Sequence, residues 1–346
     1  MSKENQLYSL MREEACSAAE RVATHLKENE GRYSQIGAML RRQQAAGAVT
    51  IARGSSDHAA SYLSYLSAVR AGHLVTSLPM SLFTLYDAPI SARGLLAVAI
   101  SQSGRSPDLT APIRAFRNDG AQTVALVNDT LSPLAEASEW VIPLYAGSER
   151  SVAATKSFIC SLVASAKLVA AWCNDQRLAT EIESLPDALR DACRQDWSLA
   201  IDVLKPAERI MVIGRGTGLS IAQEAALKFK ETCGIQAEAF SAAEVKHGPM
   251  ALVDDGYPML VFAPRGPAQA SLLALAEEMR TRGAHVLLAA PDDVRGRDLT
   301  LTSTATPDLD PISAIQSFYL MVESVAKARG YDPDKPRHLN KVTSTL

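Results

Sequence analysis

Two stretches of this sequence carry side chains in patterns suited to chemistry. The first is Ser101-Gln102-Ser103-Gly104-Arg105-Ser106, directly after the apolar run at 95–100. Hydroxyls, an amide and a glycine that lets backbone approach closely, set ahead of a helix, make a cradle for a dianion such as phosphate. Serine is also an ordinary helix N-cap, so a capped loop without a ligand is the plainer reading. Ser55 and Ser56, in the loop before it, would complete such a cradle. The second stretch joins 228–234 to 243–250 and holds Lys228, Glu231 and His247. Helix C-termini disfavour acids, so Glu231 at the end of an Ala-rich helix is either tied by a surface ion pair to Lys228 or kept for a task. His247 is followed by Gly and Pro and therefore belongs to a loop. A carboxylate and an imidazole suit sugar tautomerisation, which needs one group to open the ring at O5 and another to carry a proton between C1 and C2.

These loops must be held by a scaffold, and the pattern around them names it. Short β-branched runs at 48–52, 95–100 and 123–127 each end in a polar loop and a helical segment. That rhythm predicts an α/β fold, a parallel sheet with crossover helices, in which ligands bind at the carboxyl ends of the strands. The second half repeats it: Arg53-Gly54 has its counterpart in Arg215-Gly216, Ser101 in Ala263, and the run from Gly120 in the run from Gly283, each 162 or 163 residues on. A duplicated α/β unit is expected. We divide the chain into N-terminal helices at 1–45, a first subdomain at 46–190 with the phosphate loop, and a second at 191–346 with the acid–base residues and a C-terminal tail. The second copy's loop, Ala263-Pro264-Arg265-Gly266, lacks hydroxyls, so one phosphate site per chain is expected.

Composition excludes several classes. Of 346 residues 47% are hydrophobic and 21% charged, the balance of a folded globular protein. Basic and acidic residues, 35 and 38, are well mixed, which argues against a nucleic-acid partner. No secretory leader is recognisable at the N-terminus. The longest apolar run, near 160, is broken by Lys167 and reads as too short for a membrane span. Cys16, Cys160, Cys173, Cys193 and Cys233 form no CxxC pair, so free thiols in small buried apolar positions and a cytoplasmic location are expected. No metal or cofactor is expected.

Taken together, ISQSG, SVAATKSF at 151–158, ALKFKE, AEAFSAAEVKHGPMAL at 237–252 and DKPRHLNKV at 334–342 resemble the isomerase domain of glucosamine-6-phosphate synthase and its sugar isomerase (SIS) relatives. The resemblance implies two tandem SIS subdomains of flavodoxin-like type. It implies that Ser56, Ser101, Gln102, Ser103 and Ser106 bind the phosphate, that Glu231 is the C1–C2 proton-transfer base with Lys228 beside it, and that His247 opens the ring. It further implies a homodimer in which His247 reaches the neighbouring subunit's site, and a tail lysine, Lys341, able to form a Schiff base with the open-chain sugar. Val152 and Ala154 fall at the sugar's reactive end, with Ala154 where the synthase pattern has a serine.

The chain starts about where the isomerase half of the synthase would, so no glutamine-hydrolysing domain is expected, and the same chemistry would run toward amine release. Glucosamine-6-phosphate deaminase is the expected activity. Galactosamine-6-phosphate deaminase, a phosphosugar aldose–ketose isomerase and a fructosamine-phosphate deglycase are the alternative enzymes. A non-catalytic sugar-phosphate sensor is the alternative of another class, although it would have no use for Glu231, His247 and Lys341 together.

Overall fold

The computed structural model describes residues 8–45 and 47–341; Val342, last in the tail motif, and Ala46 lie outside them. Among the described residues ten strands form two sheets. In the first, β1 (Gly47–Ile51), β2 (Val75–Ser77), β3 (Leu95–Ser101), β4 (Gln122–Val127) and β5 (Trp140–Pro143) run parallel in the order β2-β1-β3-β4-β5. In the second, β6 (Arg209–Gly214), β7 (Gln236–Ser241), β8 (Pro258–Phe262), β9 (His285–Ala290) and β10 (Leu299–Thr300) run parallel as β7-β6-β8-β9-β10. Both orders are the flavodoxin-like 2-1-3-4-5, which bears out the duplicated α/β fold. The strands carry near-continuous apolar sequence because helices cover the sheets; β3 buries every residue from Leu96 to Ser101.

The helices are α1 (Leu10–Cys16), α2 (Ala18–Gln43), α3 (Ser55–Ala71), α4 (Ser81–Thr84), α5 (Pro107–Asn118), α6 (Pro133–Ala137), α7 (Lys156–Cys173), α8 (Gln176–Ile182), α9 (Leu185–Ala192), α10 (Leu199–Leu204), α11 (Gly218–Lys228), α12 (Gln269–Thr281) and α13 (Asp310–Ala328). Contacts divide the chain into two units. One contains the β1–β5 sheet and comprises Glu20–Ser148 and Ser157–Glu183. The other contains the β6–β10 sheet, with residues up to Ala19, Glu149–Lys156 and Ser184–Lys341. Helix α1 and the 149–156 segment therefore pack with the second sheet.

Each unit has its own apolar core. In the first, Ile51, Ala99 and Val127 of the sheet meet Leu109, Ile113 and Phe116 of α5. In the second, Phe318 of α13 packs edge-on against Phe229 and Phe262, with ring centroids 5.2 and 6.2 Å away. That packing fixes the rotation of α13, and it decides where the neighbouring Tyr319 points.

Two sequence expectations are corrected. Helix α7 is an 18-residue helix that Lys167 does not interrupt, long and apolar enough to cross a membrane by length and composition, but 83% of it is buried in the fold as a core helix. Cys16 is exposed and Cys173 and Cys193 are partly so; only Cys160 and Cys233 are the buried thiols expected of all five.

Candidate active site

In the β1–β5 unit the candidate phosphate residues lie at the carboxyl ends of two neighbouring parallel strands. β1 leads through Arg53 and Gly54 into the first turn of α3, which holds Ser56. β3 ends at Ser101 and leads through the Gln102–Ser106 loop into α5. An ion pair from Arg53 Nε to Asp108 Oδ2, 2.9 Å, ties the first loop to the first turn of α5, with the Asp108 carboxylate almost fully buried. Within the second loop the Gly104 N–H donates to Ser101 Oγ at 3.0 Å, and the Arg105 N–H donates to Ser103 Oγ at 3.4 Å. Ser101 is buried, and its hydroxyl still has its own proton to give. Gln102, Ser103 and Ser106 are half-buried. Ser106 is the N-cap residue of α5, yet its side chain makes no capping bond. The plainer reading of this serine as a working cap is not what the structure shows.

Only glycine fits at 104. Its φ is +62°, and a Cβ there would lie 2.1 Å from Ser132 Oγ and 2.8 Å from Val127 Cγ2. The loop is thus pressed onto the end of β4 and the start of α6, with the Leu134 N–H donating to the Gly104 carbonyl at 3.1 Å. The counterpart in the other unit, at Arg265, is closed by an ion pair to buried Asp310, with bonds of 2.8 and 2.7 Å.

In the β6–β10 unit the acid–base cluster is built on α11. Its last turn is followed by a π-turn, Phe229–Cys233, which ends at Gly234 in the left-handed conformation. Glu231, three residues after Lys228, shares its face. Lys228 Nζ bonds Glu231 Oε2 and lies 3.5 Å from Glu224 Oε1. Lys228 and Glu224 are fully buried, while the Glu231 side chain is 20% exposed. The surface ion pair considered from sequence is therefore a buried one with a single open end, and π-turns recur at functional sites. Burial alone would push the Lys228 ammonium down; the carboxylates of Glu224 and Glu231 outweigh it and raise it, so Lys228 stays charged.

From α13 the Tyr319 hydroxyl, fully buried, donates to Glu224 Oε1 at 3.2 Å. Burial first, then the charges of Glu224 and Glu149, hold this phenol well above its ordinary range. Glu149 opens the segment that contains Val152 and Ala154, both half-buried. Its Oε2 accepts from Lys341 Nζ at 3.0 Å and its Oε1 from the Thr155 N–H at 3.1 Å. Lys341, Glu149, Tyr319, Glu224, Lys228 and Glu231 thus share one polar neighbourhood. A cleft of about 320 Å³ opens beside Glu231, flanked by the tail residues Lys335, Arg337 and His338.

Among the described residues His247 makes no hydrogen bond or ion pair with this cluster. It ends a short 3-10 turn, Glu244–His247, and is exposed ahead of Gly248. Sequence reasoning missed Glu224, Tyr319 and Glu149. The four-residue spacing of Glu224 and Lys228 was a readable helical ion pair; nothing local marked the other two.

The sequence model of the SIS domain matches residues 43–171 and 203–292. This chain belongs to the SIS family. A glutamine–fructose-6-phosphate aminotransferase (isomerizing) of Aeropyrum pernix is 35% identical over 317 residues, covering 85% of this chain and 50% of that protein. The chain spans about half the length of such curated relatives. A crystal structure from Silicibacter pomeroyi, provisionally described as a phosphosugar isomerase, is 41% identical with a TM-score of 0.89, covering 94% of this chain and all of that one. The C-terminal domain of glucosamine-fructose-6-phosphate aminotransferase from Francisella tularensis, 24% identical, shares the fold with a TM-score of 0.85, covering 97% of this chain and all of that one. The SIS member in hand therefore has the fold its motifs implied.

Proposed function

We propose that this SIS protein is a glucosamine-6-phosphate deaminase. The observation that carries the reading is the buried cluster in which one ammonium, Lys228, serves two carboxylates, Glu224 and Glu231. A carboxylate kept as an acceptor with one open side is equipped to take a proton from carbon. The open side of Glu231 offers a carboxylate to the 2-ammonium of an amino sugar, a cation that a neutral sugar does not bring.

In this reading the Ser101–Ser106 loop and Ser56 hold the phosphate, and His247 assists ring opening at O5, supplied by the partner in a homodimer. Glu231 removes the C2 proton once the aldehyde has formed, and the proton returns at C1 to give the 2-imine. Water adds to that imine and ammonia leaves, so glucosamine 6-phosphate and water yield fructose 6-phosphate and ammonia. Lys341, held by Glu149, is the amine available to the open-chain carbonyl. Val152 and Ala154 contact the sugar. We place the protein in the cytoplasm, in keeping with five cysteines that form no disulfide among the described residues.

A second reading, simple aldose–ketose isomerisation of a neutral sugar phosphate, is favoured by the Silicibacter pomeroyi relative. The purified protein given glucosamine 6-phosphate should release ammonia and fructose 6-phosphate in equal amounts. Glu231→Gln, which keeps the shape and removes the base, should lower turnover by about 10²–10⁴-fold with little change in KM. Isomerisation of a neutral sugar phosphate, with no ammonia from any amino sugar, would install the second reading instead.

A further inference from the structure

The N-terminal helix does more than lead into the fold. Glu14 of α1 is buried, and its carboxylate accepts from the Arg150 N–H at 2.6 Å and the Ser151 N–H at 3.1 Å, the two residues that follow Glu149. The start of α1 is held by the tail: Asp334 accepts from the Leu10 N–H at 2.9 Å and the Met11 N–H at 2.7 Å. The ring of contacts closes where the Val152 N–H donates to the Asp334 carbonyl at 3.2 Å. Helix, 149–152 segment and tail are each tied to the other two. The tail is tied a second time where Lys341 meets the Glu149 carboxylate.

We infer that Glu149 is the positioning residue for the Lys341 amine, and that α1, through Glu14 and the Asp334 bonds, sets where Glu149 stands. Lys341 carries its amine on a four-carbon stem at the end of a tail whose residues 337–340 are exposed. An amine on such a stem keeps one position only where a fixed counter-charge holds it. The Glu149 carboxylate is fully buried and cannot follow the tail. Its two oxygens divide the work, one on the Thr155 N–H and one on Lys341. Around it stand Glu14 with Lys156, 4.0 Å apart, and the Tyr319 phenol. Glu14 is held above the usual carboxylate range, by burial first and by the Glu149 charge, against the pull of its two N–H bonds.

Glu149 also has a proton to handle. Attack on a sugar carbonyl needs the neutral amine, so the ammonium gives one proton to Glu149. The amine nitrogen then bonds to the carbonyl carbon, and the oxygen leaves as water after taking up that proton and the second one shed by nitrogen. This step rests on the Schiff-base role given to Lys341 above, whereas the holding of the amine does not.

The test separates the two. In the full chain without sugar, trinitrobenzenesulfonate labelling of Lys341 at pH 8, followed by peptide mass spectrometry, reads how available the amine is. Glu149→Gln should speed labelling at pH 8 several-fold, because the amine loses the buried partner that holds it against the fold. Glu149→Asp should restore slow labelling in part. Glu14→Gln and Asp334→Asn should each speed it by a smaller factor with the protein still folded. Labelling unchanged in Glu149→Gln, or changed equally by Asp and Gln, overturns the positioning role whatever the enzyme's substrate. With sugar phosphate present, cyanoborohydride should trap an adduct on Lys341 in the wild type and several-fold less in Glu149→Gln. A labelling change without any wild-type adduct keeps the positioning role and removes the Schiff-base step.

Discussion

Burial acts in the same direction on two buried bases of this protein, and their neighbours produce opposite outcomes. Lys228 loses hydration, but Glu224 and Glu231 more than replace it and the ammonium persists. His25, in α2, also loses hydration. Its neighbours are the Pro143 and Leu144 carbonyls, each 3.1 Å from Nδ1, and the Tyr33 hydroxyl, 2.7 Å from Nε2. Burial dominates over the help from those carbonyls and pushes the imidazole down to about 4. The unfolded chain therefore binds a proton at His25 between pH 6.5 and 4 that the folded protein does not. Stability from this group is complete above pH 6.5 and falls as pH drops toward 4. The loss should reach about 3 kcal/mol at pH 4, from a shift of about 2.5 units. Urea unfolding of the wild type and His25→Gln at pH 7 and pH 4 measures it; equal losses in the two proteins would show that His25 carries none of the acid sensitivity.

At the scale of elements, the proposed phosphate loop depends on the tight seating of one turn. Gly104→Ala keeps every hydroxyl but must displace the loop, because its Cβ would meet Ser132 and Val127 at a backbone angle unfavourable to alanine. Strain of this kind costs about 1–3 kcal/mol. A displaced cradle should raise KM for the phosphorylated sugar about tenfold or more, while binding of the unphosphorylated sugar stays weak and unchanged. A KM within twofold of wild type would mean that loop geometry does not govern phosphate binding. This loop was legible in the sequence because a buried strand, β3, runs directly into Ser-Gln-Ser-Gly. The central strands were legible for the same reason. The edge strands β2, β5 and β10 were not, being too short to show a period. β7 was not either, since QAEAFS is half polar, as an edge strand can be. Glu149 and Tyr319 escaped notice because their partners are 192 and 95 residues away in sequence, so no local pattern announces them.

At the scale of the whole molecule, the two halves have diverged from one ancestral plan. The first retains hydroxyls in its second loop, whereas the second has Arg265 closing the same place on Asp310. The second half instead carries Lys228 and Glu231 on a π-turn, with His247 exposed nearby in sequence but outside their cluster. An exposed histidine outside its own chain's acid–base cluster is what a residue donated to a partner would look like, and the proposed homodimer makes a quantitative demand. Take two inactive chains, Glu231→Gln and His247→Ala. In a two-fold symmetric dimer each site combines Glu231 of one chain with His247 of the other. A mixed dimer then has one site lacking both residues and one site with both intact. Random exchange at equal concentrations makes half the dimers mixed, so activity should return to about a quarter of wild type. Each variant alone should stay at its own low level, and the mixture should gain activity only as fast as subunits exchange. Isolated heterodimers, purified through two different affinity tags, should show about half of wild-type turnover. Heterodimers as inactive as their parents would place Glu231 and His247 in the same chain's site.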